Sequence, residues 1–147
     1  MGWQRFPHSM LLVILNLLLL ICPPAWATGG RDFAALYQLS QVSDLGEQVR
    51  VSLALRFFNY SGADITGATV SLQESKHPWL SHGAFQSVSV GQSSSIRLHD
   101  TFLIPKDEYE RWRRGATPYV RITFKDGKGK PQQEKIQLLP GFVGRGL

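Results

Sequence analysis

Three histidines lie downstream of the apolar N-terminal run, His77, His82 and His99, and imidazole is the side chain that titrates near neutral pH. His77 and His82 flank Trp79 in the segment SKHPWLSHG, with Glu74 the nearest acid and Asp100 more remote. A structural metal site gathers several ligands at short fixed intervals, commonly with cysteine among them. The single cysteine is Cys22, inside the apolar run, so these histidines read as loop surface and no metal is expected. Nucleophilic catalysis has no support either. There is no G-x-S-x-G elbow, and the serines fall on strand faces and in turns. Glu108 and Glu110 flank Tyr109 in a short helical segment, so their carboxylates diverge instead of facing one another across a substrate. They read as surface charge that complements a helix N-terminus. Asp44, Glu47, Asp64 and Asp126 sit in turns without the ligand spacing of a calcium loop, and turn formation explains them. The residues predict a protein that is not an enzyme and takes no cofactor.

One constellation remains. Arg111, Trp112, Arg113 and Arg114 are consecutive, and Trp79 is a further candidate. Tryptophan and arginine are the residue types most enriched at binding hot spots. The competing reading makes Trp112 and Tyr109, three residues apart on a helix, an apolar cap over the open end of a β-structure, with the arginines solvated. An exposed Trp79 or Trp112 would instead stack on a sugar ring.

The first 27 residues have the parts of a secretory leader. Arg5 is followed by the apolar run MLLVILNLLLLIC at 10–22, and Pro23-Pro24-Ala25-Trp26-Ala27 then breaks it and offers Ala-x-Ala. Cleavage is expected after Ala27. The run stops well short of the roughly 20 residues that span a bilayer, so no membrane span is expected once the leader is removed. Ile21 before Cys22 is unlike the small residue that a lipoprotein signal carries there, and Cys22 reads as one more apolar residue of the leader. Residues 28–147 then contain no cysteine. Small secreted animal domains are commonly stapled by disulfides, so a cysteine-free chain behind such a leader fits a bacterial envelope protein, periplasmic or secreted. Asn59-Tyr60-Ser61 matches the glycosylation sequon and reads as a turn. The whole-chain charge of +5 is mild and dispersed, which argues against nucleic acid as a partner.

The stretch that positions everything else is 49–59, VRVSLALRFFN. Val49, Val51, Leu53, Leu55 and Phe57 alternate with Arg50, Ser52, Ala54, Arg56 and Phe58, the pattern of a strand with one buried face. A charge at Leu53 is therefore expected to block folding. Before it, 33–41 places Phe33, Ala35, Tyr37 and Leu39 on one face, and 42–47 reads as a turn. After it, Ala68, Val70 and Leu72 alternate over 68–74, and 75–83 reads as a polar loop. Phe85 is out of phase with Val88 and Val90, which predicts a bulge or an edge strand. Ile96, Leu98, Phe102 and Ile104 share a face, with Asp100 the odd member, expected near an end or bend. Residues 105–114, PKDEYERWRR, form the one helical segment, opened by Pro105 and closed by Gly115. Val120, Ile122 and Phe124 alternate with Tyr119, Arg121 and Thr123. The hairpin signal DGKGK follows, then 132–139 with Ile136 and Leu138 in phase. Residues 141–147 read as a flexible tail.

About seven short strands at even spacing and one short connecting helix predict an all-β, antiparallel β-sandwich spanning 28–140. The run VRVSLALRFFNYSGADITGATVSL resembles the early strand pair of bacterial immunoglobulin-like and fibronectin type III-like envelope modules. GATPYVRITFKDGKGK is similar to the late tyrosine-bearing strand and hairpin of that fold, although Tyr119 has the opposite phase to Val120, Ile122 and Phe124. The resemblance implies an immunoglobulin-like module that acts by binding an envelope protein; the second reading, a polysaccharide partner, rests instead on Trp79 or Trp112 being exposed.

Overall fold

A computed structural model describes residues 32–143, so the expected leader at 1–27 lies outside the described residues. The described chain is mostly β: β1 (Phe33–Asp44), β2 (Gln48–Asn59), β3 (Ile65–Gln73), β4 (Ser81–Val90), β5 (Ser94–Pro105), the helix α1 (Lys106–Arg113), β6 (Tyr119–Lys125) and β7 (Pro131–Pro140). The strands form one sheet in the order β4-β3-β6-β7-β1-β2-β5. The sheet curls until its two ends meet. The Phe85 ring of β4 lies 5.5 Å from the Phe102 ring of β5, edge to face. Gly83, at a φ of +143°, lets the strands approach there, because a Cβ would stand 3.0 Å from the Phe102 ring.

Alternation in the sequence becomes alternation in burial. Val49, Val51, Leu53, Leu55 and Phe57 of β2 all face the interior, where Val70 and Leu72 of β3, Val120 and Ile122 of β6, and Ile136 and Leu138 of β7 join them. The phase change in β4 is a bulge. Phe85, Val88 and Val90 are all buried, the β3–β4 register shifts, and Ser87 takes a φ of +54° to absorb the extra residue.

Four expectations need correction. The sheet is mixed, because Ala35–Tyr37 of β1 pair in parallel with Leu138–Pro140 of β7. A parallel pair has no tight turn to announce it in the sequence. β1 continues to Asp44, so the turn occupies 45–47; a shifted register and Gln41 at a φ of +49° mark a bulge that carries the strand on. Asp100 stands mid-strand opposite Leu53, on an exposed part of the edge strand β5. The start of the expected tail is held: the Gly141 amide donates to the Tyr37 carbonyl at 3.1 Å, the Val143 amide donates to Gln38 Oε1 at 3.3 Å, and Val143 is buried. Residues 144–147 lie outside the described residues.

Candidate functional site

The helix and the loop between β3 and β4 form one end of the molecule. Glu108 in the first turn of α1 is 1% exposed, against its expected place on the surface. Its Oε1 accepts from the Ser75 amide at 3.0 Å and the Ser75 hydroxyl at 2.7 Å, and its Oε2 lies 3.1 Å from His82 Nε2. The His82 side chain is nearly as buried, so His82 is likewise no loop-surface histidine. Trp112, one turn further along the helix, packs edge-on against the His82 ring. The carboxyl group meets the two Ser75 donors and the positive end of the helix, which compensate its burial. It joins the helix to residues 33 and 26 positions away in the chain.

Glu108→Gln tests this pin. Glutamine keeps an oxygen for Ser75 and offers its amide to His82, but loses the charge-assisted strength of the contacts. The expected cost is about 1–2 kcal/mol, read as a lower urea midpoint with unchanged slope. An unshifted midpoint would mean that the pin does not hold the helix.

Further contacts hold the loop over residues 74–80. Lys76 pairs with Asp107, which keeps the Asp107 carboxyl below the usual carboxylate range. The Tyr119 hydroxyl donates to the Glu74 carbonyl at 3.3 Å, and Arg121 Nη2 donates to the Pro78 carbonyl at 2.9 Å. Burial raises the Tyr119 hydroxyl above its ordinary value. Within the loop, Glu74 N donates to Leu80 O, and Leu80 N to His77 O. His77 bonds Glu74 and sets its ring 5.4 Å from that of Trp79. The loop is therefore tied to α1 and β6 while Trp79 projects from it, 73% exposed, beside half-exposed Leu80.

The five residues singled out from the sequence divide clearly. Trp112 is 6% exposed and presents no face to a partner; it anchors the helix. Arg113 and Arg114 are exposed, and Arg113 pairs with Glu110 at 3.2 Å. Arg111 is partly buried, and its Nε and Nη2 have no hydrogen-bond partner. Trp79 is the exposed aromatic, and among the described residues no hydrogen bond or ring contact joins it to the arginines. Sequence reasoning missed Glu108, His82 and Ser75 as a unit, because only the fold brings them together.

The turn acids serve their turns. Asp44 accepts from the Gly46 amide and from Lys106, whose hydrogen bond is the main cause of its lowered pKa. Asp126 accepts from Gln132 and from the Lys128 and Lys130 amides, and these bonds lower its pKa, that of Gln132 most. Asp64 accepts from the Gln92 amide. Glu134 shares a pocket of about 310 Å³ with Asp32, and burial, with that neighbour's charge, raises its pKa. Among the described residues no three of His, Cys, Asp and Glu group as metal ligands, and no helix is long and apolar enough to cross a membrane.

No family model matches the chain, and no curated protein matches it. Among solved structures it is similar to a protein from Archaeoglobus fulgidus, at 15% identity and a TM-score of 0.32, over 78% of this chain and 98% of that one. A likeness that loose carries no inference about function.

Proposed function

We propose that the protein is a secreted or periplasmic, non-catalytic binding module of bacterial immunoglobulin-like type, acting on an envelope protein through its α1 end. The strand order supports the sandwich reading. β4, β3, β6 and the first part of β7 make one antiparallel layer, while β1, β2 and β5 make the other, and the last residues of β7 cross to join β1. The leader motif at 1–27 supports export.

The observation that carries the binding role is Trp79. An aromatic 73% exposed on a loop fastened to two neighbouring elements loses little side-chain and loop freedom when a partner covers it. Rigid, exposed tryptophan of this kind supplies much of the energy at protein interfaces. The test is affinity capture from a native envelope extract with the parent and with Trp79→Ala. A specific envelope partner is expected, with affinity about thirtyfold weaker in the variant, the loss of a hot spot of about 2 kcal/mol. Equal recovery by both proteins would remove Trp79 from the interface. A second reading, a carbohydrate-binding module, also rests on the exposure of Trp79, since exposed indole rings stack on sugars. It requires polysaccharide to change tryptophan fluorescence in the parent and not in Trp79→Ala.

A further inference from the structure

Beside the helix is a basic pocket of about 260 Å³, lined by Ser75, Arg111, Thr117, Tyr119, Lys135 and Gln137 among others, with no acidic side chain in its lining. Lys135 holds its ammonium 4.0 Å above the Tyr119 ring, a contact that fixes the charge without neutralising it. Arg121 stands opposite Lys135 in the β6–β7 ladder, so the two cations share one face of the sheet.

Arg111 is the informative residue. Its unpartnered atoms, Nε and Nη2, form one edge of the guanidinium, the edge that meets two oxygens of a carboxylate or phosphoryl group side by side. Buried donors are ordinarily paired, and a pair left unmade is costly. The acids nearest along the helix do not fill this edge. Glu108 is held by Ser75 and His82, and Asp107 by Lys76. On the far side, Gln137 Nε2 donates to Thr117 Oγ1 at 2.6 Å, which leaves the Thr117 hydroxyl proton free to donate.

We propose that this pocket binds a two-oxygen oxyanion, a carboxylate or a phosphoryl group carried by the ligand. A turn of the Arg111 side chain presents its Nε–Nη2 edge to the two oxygens, Lys135 supplies the second positive charge, and Thr117 donates a hydrogen bond. The inference rests on the α1 end being a binding surface and adds the chemical class of the group bound there.

The test is an NMR titration of the purified protein with inorganic phosphate and, separately, with acetate, each compared with sodium chloride at equal ionic strength. Saturable shifts are expected at the amides around Arg111, Thr117 and Lys135. Response to phosphate alone assigns a phosphoryl group, response to acetate alone a carboxylate, and response to both the shared oxyanion chemistry. Arg111→Gln and Lys135→Gln should each weaken binding at least about tenfold, the loss expected for a charge-assisted contact. Lys135 is exposed, so its variant decides the matter even where Arg111→Gln fails to fold. No saturable shift beyond that of chloride, or unchanged affinity in Lys135→Gln, would overturn the proposal. The titration needs no protein partner, so its outcome is independent of the capture result at Trp79, which separates failure here from failure at the partner surface.

Discussion

Leu55→Arg is expected to yield no folded protein. Leu55 is fully buried in β2, between Tyr37 of β1 and Leu98 of β5 in the register of the sheet. No acid stands opposite it on either neighbouring strand, so the guanidinium would be buried unpaired. That costs several kcal/mol beyond the lost packing, against a whole-domain stability of about 5–15 kcal/mol. A collapsed amide spectrum and loss of the cooperative melt are the expected readouts. A dispersed spectrum with the parent's melting temperature would show that this face of β2 is not the core. Leu53, the position the sequence alone picks out for such a charge, is the weaker choice. Asp100 stands directly opposite it at an exposed edge and would give the new arginine a partner.

Asn59→Asp should be nearly as severe. Asn59 closes β2, is fully buried, and ties three segments together. Its amide nitrogen donates to the carbonyls of Ala63 at 2.8 Å and of Val90 and Gly91 at 3.2 Å. Its oxygen accepts from the Ser61 amide at 3.0 Å and the Ser61 hydroxyl at 2.6 Å. Aspartate is close in shape but replaces the donors with a charged oxygen that faces carbonyl oxygens. The expected loss is about 3–5 kcal/mol, as for an uncompensated buried charge, or more than about 1 M in the urea midpoint. A midpoint within about 0.3 M of the parent would mean that the Asn59 donors do not hold the turn. In the folded chain Asn59 Nδ2 is taken up by these three carbonyls, which fits the reading of Asn59-Tyr60-Ser61 as a turn.

Local periodicity accounts for what was legible. A strand with one buried face writes its phase into the sequence every second residue, so the core of β2, β3 and β6 and even the bulge of β4 could be read directly. The helix was legible to within a residue at each end, because its acids, its basic last turn and Gly115 are all local signals. The Glu108–His82–Ser75 unit was not legible. Glu108 carries the sequence signal of helix-end charge, and that signal is true; its burial depends on a loop that only the folded sheet brings against it.

The candidate site shows the same division. The sequence by itself determined that tryptophan and arginine were the residues to watch, that the strands alternate, and that one short helix links β5 to β6. Tertiary structure alone decided that Trp112 is an anchor while Trp79 stands out on a fastened loop, and that Arg111 lies with Lys135 beside one pocket. Residue type and spacing are properties of neighbours along the chain. Exposure and hydrogen-bond satisfaction are properties of neighbours in space, set here by where β3, α1 and β7 come to rest.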